Sequence, residues 1–214
     1  MCLDTDYYET YRRGNVHLVS VKQTPIDEIT ATGLRLADAR QFVFDILVLA
    51  TGFDAITGSV LAIDIRGRGG RSVRDAWAHG PQSHLGLAIA GFPNLFTITG
   101  PGSPSVLSNV LGSIEYHVEW ITDCITWLRD HGISTIEASP AAQRAWMEHA
   151  RELGDATLYP RANSWYMGSN VPGKPRVLLP YVGGVGRYRR ICDAIASDGY
   201  PGFELGVAAA TPPR

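Results

Sequence analysis

The chain has 214 residues, 45% of them hydrophobic and 19% charged, with a formal net charge of -2 and a mean hydropathy of -0.03. That is enough for one or two domains with a sizeable core. The near-neutral balance excludes a general nucleic-acid surface, which needs a basic excess, and no apolar run approaches the roughly 18 residues of a membrane span. Three widely spaced cysteines, Cys2, Cys124 and Cys192, favour reduced thiols in a cytoplasm over a disulfide framework or a zinc site. The N-terminus has neither the basic nor the apolar region of a signal peptide.

Residues 16–49 read as a series of strands. The first covers residues 16–21, and residues 29–36 surround a turn at Ala31-Thr32-Gly33. The last covers residues 41–49, where Phe42, Val43, Ile46, Leu47 and Val48 supply β-formers. Spacings this short leave no room for crossover helices and predict an antiparallel meander. The last strand leaves through Ala50-Thr51-Gly52, small residues that let a strand end approach a flat cofactor, before Phe53-Asp54. A Gly-rich loop follows at 67–70. Gly91-Phe92-Pro93-Asn94 then leads into a short predicted strand over 95–99, with a second small-residue exit at Thr99-Gly100.

The longest predicted helix spans about 105–131. Val106, Val110, Ile114, Val118, Ile121, Ile125 and Leu128 fall at spacings of three or four, which predicts one buried face, and Gly132 is placed to end it. A second helix fits about 140–153, with Pro140 in its first turn, and a third about 188–196. Between them, residues 159–186 form a long irregular segment rich in Pro, Gly and aromatics, a type of loop that is often functional. Residues from Gly206 onward read as a loose tail. No internal repeat is visible.

Gly100-Pro101-Gly102-Ser103-Pro104 turns from a strand into a long helix, whose start offers unpaired N–H groups and the positive end of the macrodipole. Such a site can hold an anion or the electron-rich edge of a reduced flavin. No G-x-G-x-x-G loop for a pyrophosphate occurs anywhere in the chain. The six histidines share no metal-ligand spacing, and His117 and Trp120 are expected to pack rather than react.

These stretches resemble the C-terminal part of a Baeyer–Villiger monooxygenase, a flavoenzyme that inserts oxygen beside a ketone carbonyl. The residues that carry the resemblance include Leu3-Asp4-Thr5-Asp6-Tyr7-Tyr8-Glu9-Thr10-Tyr11, Leu49-Ala50-Thr51-Gly52-Phe53-Asp54 and Ala90-Gly91-Phe92-Pro93-Asn94-Leu95-Phe96. Gly100 to Asn109 and Ser113 to Trp120 continue it, followed by Ser164-Trp165-Tyr166 and Asn170-Val171-Pro172-Gly173-Lys174-Pro175-Arg176. The last two are the narrowest signatures.

The resemblance implies an α/β fold, part of a flavoprotein with two dinucleotide-binding domains, with a short β-meander and several helices. It implies residues 1–55 as the end of the NADP domain with its return strands, 56–205 as part of the FAD domain, and 206–214 as a tail. FAD and NADP are the implied cofactors, with a ketone and O2 as the small-molecule partners and neither nucleic acid nor membrane. Thr51 and Gly52 would lie near FAD, and the backbone N–H of Val110 would face the flavin. Trp165 would contact NADP. Ser105, Val106 and Leu107 would border the substrate.

The family's two Gly-rich fingerprints lie upstream of everything in this sequence. Its catalytic arginine precedes the Tyr-Tyr-Glu segment, so no catalytic residue is assigned here. The expectation is a truncated or mis-started frame, inactive alone. A flavin-containing or N-hydroxylating monooxygenase fragment and a non-catalytic orphan module are the alternatives.

Overall fold

A computed structural model describes residues 5–169 and 171–207. Cys2, Leu3, Asp4 and Asn170, which entered the sequence reading, lie outside the described residues. The chain is α/β and divides into two compact units, 1–51 and 52–214.

In the first unit, a single helical turn, α1 (Tyr7–Thr10), precedes the antiparallel meander β1 (Ile26–Thr30), β2 (Gly33–Leu36) and β3 (Gln41–Val43). Thr30 opposes Gly33 and Gly33 opposes Val43, so the turn at residues 31–32 and the strand order follow the sequence reading. Arg35 crosses to Asp27 and Glu28 at 2.9 and 2.8 Å.

Two predicted strands are shorter or absent. Residues 16–20 have no regular structure, and β3 ends at Val43 instead of residue 49. The reason is pairing. β2 is four residues long and its register runs out at Gly33, after which only Phe44 N–H finds a partner, Thr32 O at 3.1 Å. A strand with β-forming side chains and no neighbour has no ladder to join. Residues 46–52 are therefore irregular, and Ile46 and Val48 are each 78% exposed.

The second unit contains two short helices, α2 (Gly58–Ala62) and α3 (Val73–Ala76), and three long ones, α4 (Val110–Asp130), α5 (Pro140–Asp155) and α6 (Val185–Ser197). An antiparallel pair, β4 (Thr135–Ala138) with β5 (Phe203–Gly206), completes it. Gly206, read as the start of a tail, is the last residue of β5 and pairs with Thr135. The predicted strand at 95–99 reduces to a single bridge between Ala88 and Phe96.

Helix ends follow local chemistry. Ser139 caps α5 by accepting from Ala142 N–H at 3.1 Å, with Pro140 in the first turn. Gly132 ends α4 at φ 67. Its N–H donates to Arg129 O at 3.1 Å and Ile133 N–H to Leu128 O at 2.8 Å, the paired bonds of a Schellman ending.

The buried face of α4 differs from the predicted one. Tyr116, His117, Trp120, Cys124 and Leu128 face the core, while Val118 and Ile125 of the aliphatic stripe are 44% and 53% exposed. Aromatic groups bury more area each and can satisfy their polar ends. Tyr116 O–H donates to Asp193 Oδ1 at 2.6 Å and Trp120 Nε1–H to Cys192 O at 3.0 Å, so both bind α4 to α6.

Candidate functional site

The segment that enters the site is anchored on β4. Asn94, at φ 59, donates its backbone N–H to Ile136 O at 2.8 Å. Its side chain accepts from Ile136 N–H and donates to Ser134 O, both at 3.0 Å. Glu137, buried, accepts from Gly91 N–H at 3.0 Å and pairs with Arg68 at 2.6 Å. The Gly91-Phe92-Pro93-Asn94 stretch thus acts as a structural anchor that aims residues 95–100 at the site.

The following loop is held from all sides. Ser83 Oγ donates to Pro101 O at 2.5 Å and accepts from Gly86 N–H at 3.1 Å. Gly102 N–H donates to Leu179 O and Tyr181 N–H to Ser103 O, each at 2.7 Å, while Trp146 Nε1–H donates to Gly102 O at 3.0 Å. A Cβ on Gly86 would stand 2.6 Å from Ser103 Cβ, so the loop closes only over glycine.

The predicted helix at 105–131 is interrupted here. Ser105–Leu107 forms one 3-10 turn, with Ser105 at φ 43, and Ser108 is extended. Ser108 Oγ bonds Ser105 O and Ser113 Oγ, at 3.0 and 2.7 Å. Asn109 then caps α4 by accepting from Leu111 N–H at 3.1 Å. Side chains that bond their own backbone compete with helix and favour caps. Among the described residues the Val110 N–H has no partner.

His117 supports the same place from within α4. Thr99 N–H donates to its Nδ1 at 2.9 Å, so the ring proton sits on Nε2. Nε2–H donates to Tyr188 Oη at 2.9 Å, and Tyr188 O–H donates to Leu85 O at 2.6 Å. Burial holds the imidazole neutral, pushing its pKa down to about 4. Thr99, at φ 51, is kept in a left-handed conformation by this relay.

A cleft of about 500 Å³ opens beside these elements. Four sequence-predicted residues line it: Ser105, Val106, Val110 and Trp165. Leu107 is half-buried and does not line it. Gly52 is exposed at φ 78, next to Phe53, which does line it. Thr51 is exposed and belongs to the other unit. The sequence reading did not single out Val60, Ile63 and Ile65, from α2 and the residues after it, which form an apolar wall; their spacing was the available signal.

Among the described residues, no ionisable side chain lines this cleft. Trp165 is half-buried, its ring centroid 4.2 Å from that of Tyr166, and its indole N–H has no hydrogen-bond partner among the described residues. A second cavity, of about 520 Å³, lies against α5 and contains none of the predicted residues.

No family model matches the chain. Curated relatives do. A Baeyer–Villiger monooxygenase of Pseudooceanicola batsensis is 43% identical over 195 residues, 91% of this chain and 35% of the relative. An acetone monooxygenase (methyl acetate-forming) of Gordonia sp. (strain TY-5) is 45% identical over 204 residues, 95% of this chain and 38% of the relative. A phenazine N-monooxygenase of Lysobacter antibioticus is 42% identical over 200 residues, 94% and 37%. Among solved structures, closed cyclohexanone monooxygenase superposes with a TM-score of 0.88 at 43% identity, covering 96% of this chain and 38% of that one. OTEMO in complex with FAD and NADP does so at 0.85 and 41%, covering 95% and 37%.

Over nearly its whole length the chain is similar to Baeyer–Villiger monooxygenases. It spans little more than a third of the length of these curated relatives. The stretches that carry the resemblance divide here into two kinds. Residues 91–94 and 113–120 anchor and pack, whereas Ser105, Val106, Val110 and Trp165 form cleft wall.

Proposed function

We propose that the chain is the C-terminal part of an FAD- and NADP-dependent Baeyer–Villiger monooxygenase that oxidises ketones to esters or lactones with O2. The observation that carries this reading is the cleft, where the free N–H of Val110 and the indole of Trp165 meet apolar walls. These residues fit the edge of a flat cofactor ring, which needs a donor at one rim and little polarity elsewhere. They do not fit a whole dinucleotide, because the sequence has no G-x-G-x-x-G loop to offer amides to its phosphates.

When bound, the flavin supplies the electron transfer and oxygen activation. This chain's residues orient and enclose. The Val110 N–H would meet the flavin rim, and Thr51 and Gly52, on the irregular segment before Phe53, would lie near the FAD. Trp165 would wall the nicotinamide and donate its N–H. Ser105 and Val106 would border the ketone, and since no ionisable group among the described residues lines the cleft, no proton transfer is assigned to this part. The same reading carries a cytoplasmic location, which the buried free thiols of Cys124 and Cys192 support. Among the described residues, no helix is long and apolar enough to cross a membrane.

A second reading, N-oxygenation, draws on the phenazine N-monooxygenase likeness over 94% of the chain. The test needs the complete enzyme, meaning this chain joined to the segments that hold the rest of both cofactors. Ester or lactone from a ketone supports the first reading; an N-oxide from a heteroaromatic, with ketones untouched, supports the second. In that enzyme Trp165→Ala should impair flavin reduction by NADPH, or the oxygenation that follows, with FAD content unchanged. Unchanged rates in both half-reactions would remove Trp165 from the site.

A further inference from the structure

Bonds from one arginine bracket the segment that carries Trp165. Arg176 Nη1 donates to Asn163 Oδ1 at 2.7 Å and to Ser169 Oγ at 3.0 Å. Its Nη2 donates to Pro160 O at 2.5 Å and to Ala162 O at 3.0 Å. Three of the acceptors precede Trp165 and one follows it, so a single guanidinium fixes both limbs of the loop. Leu179 N–H donates to Tyr166 O at 2.8 Å, laying the returning limb beside the outgoing one. Gly168, at φ 66, makes that approach possible, because a Cβ there would stand 3.0 Å from Pro175 O.

Lys174, two residues before Arg176, supplies a second tether. Its ammonium pairs with Asp54 and reaches Ala55 O at 3.4 Å, and its side chain is only 10% exposed. Ala55 lines the cleft, as does Trp165. The Gly173-Lys174-Pro175-Arg176 stretch therefore holds the loop and the facing cleft wall together within four residues.

The acceptors around Arg176 decide what kind of residue it is. They are two carbonyls, an amide and a hydroxyl, all uncharged, so the contact is not an ion pair. What it needs is several donors in a planar fork. A guanidinium has five, whereas an ammonium has three radiating from one point.

We propose that Arg176 is a positioning residue for nicotinamide handling: it touches neither cofactor nor substrate, and it fixes the conformation in which Trp165 stands against the cleft. Lys174 and Asp54 set where the clamped loop meets the wall. This rests on the reading of Trp165 given above.

The test compares Arg176→Lys, Arg176→Met, Asn163→Ala and Trp165→Ala in the complete enzyme. Both Arg176 variants should raise the KM for NADPH on the order of tenfold, with a smaller fall in kcat and unchanged FAD content. Amide hydrogen exchange over residues 160–169 should quicken while α4 keeps its protection. Asn163→Ala, which removes one bond of four, should shift both readouts less and in the same direction, and it keeps the test open if an Arg176 variant fails to fold. Restoration of wild-type behaviour by Arg176→Lys would overturn the proposal, because charge alone would then suffice. Loss of protection throughout α4 would also overturn it, as a general structural role. If Trp165→Ala disturbs NADPH kinetics while the Arg176 variants change neither KM nor loop exchange, the clamp fails and the cofactor reading stands. If Trp165→Ala changes nothing, the assignment of Trp165 is at fault and the positioning role falls with it.

Discussion

His117 joins α4, α6 and the cleft segment through one neutral ring, and its neutrality has a cost in acid. Desolvation pushes His117 and the buried His84 each down to about 4 from an ordinary value of 6.5. An unfolded chain takes up protons on both rings below pH 6.5, and the folded chain does not until about pH 4. Stability from each ring is therefore complete above pH 6.5 and is lost as pH falls toward 4, by up to about 3 kcal/mol per ring. His84 is the cleaner probe. Its ring nitrogens have no hydrogen-bond partner among the described residues, and its ring packs edge-on to Phe203 at 5.1 Å. His84→Leu in the complete enzyme should flatten the fall in Tm between pH 7 and pH 4.5. An unaltered slope would mean that other groups carry the acid response.

Among the elements, the short turn Ser105–Leu107 matters most for specificity. Val106 points a compact apolar side chain into the cleft from a backbone held by Ser103, Ser108 and Asn109. Adding or removing one or two methylenes in an apolar pocket shifts discrimination by roughly 1–3 kcal/mol. Val106→Gly should therefore change the ratio of kcat/KM between bulky and small ketones and leave flavin reduction nearly unchanged. A lower Tm with an unchanged ratio would reduce Val106 to a packing residue. The turn also marks where sequence reading ran out. The apolar spacing at 106 and 110 extends a helix through Ser108-Asn109, yet two side chains that bond the local backbone interrupt it. Caps and glycine endings were legible because their chemistry is local, as at Pro140 and Gly132. β4 and β5 were not, since Thr135 and Gly206 meet only through distant pairing. The buried face of α4 was misread because Tyr116 and Trp120 bury with their polar ends satisfied on α6, which aliphatic periodicity does not register. Four cleft residues were legible, but through the family likeness; composition and spacing alone supplied only a turn before a helix.

On the scale of the whole molecule, the apolar surface left in water argues that this chain works as part of something larger. Ile46, Val48 and Leu49 are 72–78% exposed in the first unit, and Leu111 is 70% exposed beside Val118 and Ile125 on α4 in the second. Each such side chain would gain roughly 1.5–3 kcal/mol if fully buried, and clusters of them mark interaction surfaces. The chain also spans only 35–38% of the length of the relatives compared above. Cofactor binding should follow the same logic. Micromolar affinity requires about 8 kcal/mol, while the Val110 N–H offers about 1 kcal/mol, and the 214 residues hold no G-x-G-x-x-G loop for the phosphates. Prepared alone, these 214 residues should bind FAD weakly or not at all, and should bind a hydrophobic dye strongly. A stoichiometric yellow protein that keeps its FAD through dialysis, with no dye binding, would refute both expectations at once. It would mean that the Val106–Val110 region and the cleft walls hold a flavin by shape, without the phosphate contacts on which dinucleotide affinity ordinarily rests.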